Sequence, residues 1–189
     1  MKTIPQRLLD QAETLGSRTA LRYKHAGAWK DISWKGYADE VRAAAKSLMA
    51  LGFQPGDTTA VLGFNTAEWV IFDVATMMAG GAPAGIYTTN SPGECHYILE
   101  HSEAKVVLVE NQGQWAKIDE VRERLPSLGK AVTMRKSEAI DDDFVLSWDA
   151  FLALGADVDD ADLDAQHANP CVIDELRVVR HVIQSKDGA

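Results

Sequence analysis

The sequence predicts an α/β protein with a mainly parallel sheet, flanking helices on both faces and an N-terminal hairpin. Three observations carry that prediction. Four short apolar runs, 58–62, 84–87, 105–109 and 131–134, alternate with stretches of helical periodicity, a pattern that favours parallel pairing with right-handed crossovers. Ahead of them, TALRYK and WKDISW alternate in polarity around HAGA, which reads as a hairpin over 19–33. The 189 residues are 46% hydrophobic and 25% charged, enough for one domain with a sizeable core.

The elements follow in order. Thr3 is placed as an N-cap with Pro5 in the first turn, and Leu8, Leu9, Ala12 and Leu15 give the first helix its apolar stripe up to Gly16. After the hairpin, Ser33 caps a long helix in which Trp34, Tyr37, Val41, Ala44, Ala45 and Leu48 share a face, stopped by Gly52 and Pro55-Gly56. TTAVLGF is the first strand of the sheet. Asn65 to Glu68, N-T-A-E, is a capping-box-like start for a helix running to Met78. PAGIY is the next strand, and S-P-x-E from Ser91 to Glu94 opens a helix to about His101, with Ser91 accepting a backbone N–H near Glu94. AKVVLVE, a helix within QWAKIDEVRERL, and the strand KAVTMR complete the series. Trp69, Phe72, Ile86, Val107 and Leu108 are expected in the core. Between 137 and 176 there is no Lys or Arg while aspartates accumulate, so this stretch reads as a solvated peripheral segment with one short helix at WDAFLAL.

Composition excludes several functions. A formal net charge of -9 argues against a nucleic-acid partner, which needs clustered cations to displace counterions. Cys95 and Cys171 are far apart and form no C-x-x-C, so neither a disulfide framework nor a zinc knuckle is expected, and a reducing compartment fits. The N-terminal residues lack the continuous apolar core of a signal peptide. The one apolar stretch of membrane length, 69–87, is interrupted by Asp73, Gly80-Gly81 and Pro83, and is expected as a buried helix followed by a buried strand rather than a transmembrane segment.

Candidate chemistry is sparse. Asp160, Asp162 and Asp164 have the alternation of a calcium loop, but Ala165 stands where glycine is needed and Cys171 where a bidentate glutamate is needed. His96 and His101 are five apart, so on a helix they point to different faces, and no metal site is expected. No G-x-S-x-G elbow and neither glycine-rich phosphate fingerprint occurs. In YTTNSPGE the capping of the next helix accounts for Ser91 to Glu94 without a ligand. Thr88, Thr89 and Asn90 remain as substrate-facing candidates, because they sit just past the carboxyl end of a parallel strand, where open α/β sheets bind ligands.

Whole segments resemble a known family. DISWKGYADEVRAAAKSLMALGFQPGDTTAVLGFNTAEWVIFDVATMMAGGAPAGIYTTNSPGECHYILEHSEAKVVLVEN is similar to the N-terminal part of the AMP-forming acyl-CoA synthetases of the adenylate-forming superfamily. ISWKGYADEV matches the family's early aromatic helix motif, GDTTAVLGFNTAEWV its first core strand and helix, and MMAGGAPAGIYTTNSP its second core motif. GIYTTNSP is closest to the long-chain fatty acid synthetases of the bubblegum type. The similarity is continuous and covers roughly residues 3–170.

The resemblance implies a partial synthetase/ligase domain over 3–170 and a divergent tail over 171–189. It implies a reaction in which ATP and a fatty acid give acyl-AMP and pyrophosphate, after which coenzyme A takes the acyl group, with Mg²⁺ offsetting phosphate charge. The family residues that do this lie later in the chain: a Ser/Thr/Gly-rich loop ending in P-K-G, an aromatic-Gly-x-T-E motif, a ribose-binding aspartate, a hinge residue and a C-terminal lysine. None occurs in these 189 residues. No catalytic, cofactor or metal residue is therefore assigned, and ATP, Mg²⁺ and CoA are not expected to bind well to this chain alone. The expectation is a fragment of a long-chain fatty acid:CoA ligase, inactive by itself, with fatty acid, ATP, CoA and the missing remainder of the synthetase as its partners. The alternative is a non-catalytic α/β binding or assembly module on the same scaffold. The implied location is the cytoplasm, with peripheral contact to a membrane.

Overall fold

The structure is a computed structural model that describes residues 2–25 and 27–168. Helix α1 (Ile4–Leu15) starts at Thr3, whose hydroxyl accepts the Gln6 N–H while the Gln6 side chain accepts the Thr3 N–H. Gly16, at φ 46°, ends it. Strands β1 (Thr19–His25) and β2 (Ala28–Ser33) form the antiparallel hairpin, and Ser33 accepts the Gly36 N–H to start α2 (Trp34–Ala50). These elements lie where the residue pattern puts them.

The main sheet is wholly parallel. Its strands are β3 (Thr58–Leu62), β4 (Ala82–Ile86), β5 (Val106–Val109), β6 (Lys130–Thr133) and β7 (Val145–Ser147), in the order β4-β3-β5-β6-β7. Counted along the sheet this is 2-1-3-4-5, a doubly wound arrangement in which the chain leaves β3 to one side and later returns on the other. Helices α3 (Ala67–Met78), α4 (Pro92–Ser102) and α5 (Gln112–Asp119) connect the strands, and α6 (Trp148–Leu154) and α7 (Asp160–Ala168) follow β7.

Alternation within the strands divides the core in two. Val61, Val106, Leu108 and Val132 face one way, onto Val41, Leu48, Ile71, Phe72, Trp148 and Phe151 of α2, α3 and α6. Ala60, Leu62, Val107, Val109 and Ala131 face the other way, onto Cys95, Leu99, Trp115 and Ile118 of α4 and α5. Strands buried on both faces explain the continuous VVLV of β5. The stretch 69–87 accordingly divides into α3 and β4, and among the described residues no helix is long and apolar enough to cross a membrane.

Five details differ from the sequence-based expectation. Trp69 is only partly buried, whereas Phe72, Ile86, Val107 and Leu108 are core residues. Thr66, not Asn65, is the N-cap of α3, its hydroxyl accepting the Trp69 N–H at 3.3 Å. Glu68 therefore sits one position too early for a capping box and turns instead to Arg135. Strand β4 begins at Ala82, so Pro83 lies inside it, tolerated because β4 is an edge strand.

The acidic stretch is the fifth difference. It contributes the strand β7 and the helix α7, which packs through the fully buried Leu163. Asp160 and Asp164 pair with Arg42 and Lys46 of α2, so the local absence of cations is answered by cations 114 to 122 residues away. The expected tail over 171–189 lies outside the described residues.

Candidate functional site

Strands β3, β4 and β5 end side by side, and three loops leave their carboxyl ends toward α3, α4 and α5. In doubly wound sheets the ligand crevice opens where the connections diverge, here between β3 and β5. That position is filled from within. The Glu110 carboxylate, just past β5, accepts the Phe64 N–H at 3.1 Å. A Cβ on Gly63 would come within 2.8 Å of Met134 Cε and 2.9 Å of Glu110 Cβ. The loop between β3 and α3 thus already holds an anion, a side chain of the protein itself.

The open space lies one strand over. A crevice of about 600 Å³ runs between the loop at Gly63, Phe64 and Asn65 and the end of β4 at Gly85, Tyr87 and Thr88, with Trp69 in its wall. Phe64 is 66% and Tyr87 81% exposed. The signal that could have found this site is the exposed aromatic on each of two consecutive strand-end loops. Trp69, in the first turn of α3, is partly exposed on the crevice wall.

Of the three substrate-facing candidates, Thr88 borders the crevice. Its carbonyl accepts Lys117 Nζ at 2.7 Å and Gln114 Nε2 at 3.4 Å, so α5 pins the loop in place. Thr89 is exposed, and the Asn90 N–H closes a turn onto the Tyr87 carbonyl at 3.0 Å. Neither lines the crevice among its described wall residues. Ser91 accepts the Glu94 N–H at 3.4 Å, and Glu94 accepts both the Ser91 N–H at 2.7 Å and its hydroxyl at 2.8 Å. The backbone and hydroxyl hydrogen bonds from Ser91 hold the Glu94 carboxyl below the usual glutamate range. The amino terminus of α4 is thus satisfied by a capping box of the chain itself, as that of α3 is by the Thr66 hydroxyl.

Other titratable groups are structural. Desolvation raises the Asp73 carboxyl to about 6, and burial together with Asp73 raises the Tyr37 phenol to about 12. Burial raises the thiol of Cys95, which lies on the buried side of α4. His96 faces Glu100 at 3.7 Å and His101 stacks on Tyr97. Among the described residues no group of three or more His, Cys, Asp or Glu could hold a metal ion. None presents a glycine-rich phosphate cradle, and the Glu110 carboxylate in the loop before α3 and the Glu94 carboxylate at the start of α4 would repel a triphosphate, so ATP and Mg²⁺ do not fit the described part of the site.

A parallel doubly wound domain with an open, aromatic-rimmed crevice at its strand ends is a ligand-binding type of α/β architecture. The chain belongs to the AMP-binding enzyme family, whose model matches residues 8–175. It is 39% identical over 174 residues to the long-chain-fatty-acid–CoA ligase ACSBG2 of Xenopus laevis, covering 89% of this chain and 23% of that protein. It is 34% identical over 175 residues to ACSBG1 of Homo sapiens, also a long-chain-fatty-acid–CoA ligase, covering 90% of this chain and 24% of that one. The chain thus spans about a quarter of the length of the curated relatives it matches.

Solved structures show the same fold. The anthranilate CoA ligase AuaEII in complex with anthranoyl-AMP aligns at a TM-score of 0.70 with 23% identity, over 79% of this chain and 27% of that chain. Acetoacetyl-CoA synthetase from Streptomyces lividans aligns at 0.69 with 22% identity, over 79% of this chain and 24% of that chain.

Proposed function

We propose that this chain is the N-terminal module, residues 3–170, of a long-chain fatty acid:CoA ligase, and that it is catalytically incomplete alone. The observation that carries this reading is the similarity to long-chain-fatty-acid–CoA ligases along 89% of the chain. In the complete enzyme ATP and a fatty acid would give acyl-AMP and pyrophosphate, and coenzyme A would then take the acyl group. This chain's contribution is a wall. Phe64, Trp69 and Tyr87 offer apolar surface to an acyl chain, Thr88 borders the same crevice with Thr89 and Asn90 following in its loop, and α5 holds that loop through Lys117. Phosphate and Mg²⁺ would be held by residues outside 2–168, since the Glu110 carboxylate stands in the loop before α3 and the Glu94 carboxylate at the start of α4.

Those two carboxylates also favour a second reading, a non-catalytic binding or assembly module that keeps the scaffold. Pyrophosphate release with ATP, Mg²⁺ and palmitate tests the first reading. The 189-residue chain should stay at the no-enzyme blank. A chimera in which the part of the Xenopus laevis relative that lies beyond the matched segment follows Pro170 should release pyrophosphate in a fatty-acid-dependent way. Turnover by the short chain, abolished by a substitution within it, would overturn the claim of incompleteness; a folded but silent chimera would favour the module.

A further inference from the structure

We propose that a cavity at the amino end of the main sheet, rimmed by Lys105 and Lys130, binds a small organic phosphate at a site separate from the strand-end crevice.

The cavity has a volume of about 530 Å³, within the range of small-molecule sites. Asp57 leads into β3, Lys105 leads into β5 and Lys130 opens β6, so three strand starts form its rim. The turn after α2 adds Leu51 and Gln54, and the turn before β6 adds Ser127 and Gly129. The crevice at Phe64 and Tyr87 lies past the carboxyl ends of β3 and β4. The two spaces are at opposite ends of β3, and both can be occupied at once.

The register brings the lysines together. Val106 pairs with Lys130, which leaves Lys105 one residue back on the neighbouring strand, its Cα roughly 6 Å from that of Lys130 by strand spacing and rise. The backbone is fixed there. The Lys105 N–H donates to the Thr58 carbonyl at 2.9 Å, and the Lys105 carbonyl accepts the Gly129 N–H at 2.8 Å and the Lys130 N–H at 3.4 Å. Like charges on neighbouring strands repel, and a chain of net charge -9 has carboxylates enough to separate them. The lining holds one carboxylate, Asp57, and its Oδ2 accepts the Gln54 N–H at 2.8 Å. Among the described residues the Lys105 ammonium and the Ser127 hydroxyl have no hydrogen-bond or ionic partner. The Lys130 ammonium donates to the Asp143 carbonyl at 2.8 Å and lies 5.9 Å from the centre of the Phe144 ring, which leaves further N–H groups for a ligand.

The lining selects the ligand. Two ammonium groups and a hydroxyl, all able to donate, suit a dianionic head better than a carboxylate, and lysine holds phosphate as a point charge without the fork of arginine. Leu51 and Val106 give the same cavity an apolar side. Free phosphate would leave that side uncovered, whereas the organic part of a phosphate ester would cover it.

Phenyl phosphate, inorganic phosphate and benzoate separate the head of the ligand from its body, and the backbone amide signals of the 189-residue chain report where each one binds. Phenyl phosphate should shift the Lys105 and Gly129 signals saturably and bind about threefold or more tighter than either of the others. Lys105→Gln and Lys130→Gln should each weaken it about fivefold. Lys24→Gln, the same change of charge on the exposed hairpin, should alter it by less than about twofold. The affinity of the unsubstituted chain should fall as salt rises, a readout that does not depend on the folding of any variant. Salt-independent binding, no saturable shift up to about 10 mM, shifts centred on Tyr87 and Thr88, or equal losses in Lys24→Gln and Lys105→Gln would overturn the proposal. Benzoate as tight as phenyl phosphate would overturn the phosphate head, and inorganic phosphate as tight would overturn the organic body.

Discussion

The Glu110 carboxylate accepts the backbone N–H of Phe64 at 3.1 Å, joining the carboxyl ends of β5 and β3 across 46 residues of sequence. The bond closes the crevice at which a doubly wound sheet ordinarily receives an anion. It also fixes the loop that carries Phe64 to the wall of the open crevice.

We predict that Gly63→Ala destabilises the fold by about 1–3 kcal/mol, the usual cost of forcing a methyl into a filled site. The added Cβ meets Met134 and Glu110 at under 3 Å. The Met134 contact is the flexible end of a side chain, but the Glu110 contact is a Cβ fixed to its strand. Urea denaturation checks it. Glu110→Gly, which removes that Cβ, should relieve part of the cost in the double variant, and strict additivity would show that the two residues are not coupled.

Ser91→Ala should cost on the order of 1 kcal/mol, since it removes the acceptor for the Glu94 N–H and half of the capping box. The pH dependence has a definite sign. The folded Glu94 carboxyl lies below its ordinary value, so its contribution is present above that ordinary value and is lost as pH falls through the folded one. Acid denaturation of Glu94→Gln should lack this component. An unchanged acid limb would argue that the box is not formed in solution.

Asp73 behaves in the opposite sense. Its folded value of about 6 exceeds the ordinary 3.8, so between these values the native state holds a proton that the unfolded chain has released. Stability falls as pH rises from about 4 to 6 and stays lower beyond. The carboxylate retains contact with solvent, so we discount the full linkage value to about 1 kcal/mol. Asp73→Asn should raise the melting temperature at pH 7 and leave it nearly unchanged at pH 4. A lower melting temperature at pH 7 would contradict this.

Arg135 ties four elements together. Its guanidinium reaches Glu40 on α2, Glu68 on α3 at 3.3 Å and lies over the Trp148 ring of α6, while Trp148 Nε1 donates to Glu40 at 2.9 Å. Glu68 is nearly buried, so Arg135→Ala leaves a desolvated carboxylate and should cost roughly 2–4 kcal/mol. The double variant Arg135→Met/Glu68→Met should cost less than Arg135→Ala alone. If it costs more, the pair is a net stabiliser.

Leu163→Ala should cost about 2–4 kcal/mol, since Leu163 is the one fully buried hydrophobic side chain of α7 among the described residues. The ion pairs around it are exposed, and the Asp160 carboxyl is held low by Lys46 first and Arg42 second. Amide exchange should therefore show α7 opening below the global unfolding free energy, more readily at high salt. Exchange as slow as in β5 would refute this.

Local signals made most of the fold legible. Thr3, Ser33 and Ser91 are each a capping residue directly ahead of an apolar period, and each caps the helix expected of it. VVLV of β5 has no alternation because both of its faces are covered. The misses share one cause. Asn65 and Thr66 are both good caps, and the choice between them falls to Glu68, which is drawn to Arg135 67 residues away. The aspartates at 160 and 164 read as solvated because their cations lie on α2. The crevice was half visible: Thr88 was picked out by its place after a strand, but nothing local marks Phe64 and Tyr87 as exposed, and only the strand order brings them to one crevice.

The division of the core has a consequence for how the chain is made. The face built on α4 and α5 draws its buried residues mainly from 60–131, one contiguous stretch. The opposite face needs Leu8 and Val41 from the start of the chain, together with Phe151 and Leu163 from beyond β7. During synthesis at about 5–20 residues per second, the first face can close while the second still waits for its last pieces. For some seconds α2 and α3 present their apolar sides to the ribosome exit and the surrounding solvent. That interval, rather than any step of the sheet itself, is where a nascent chain of this topology is open to a chaperone.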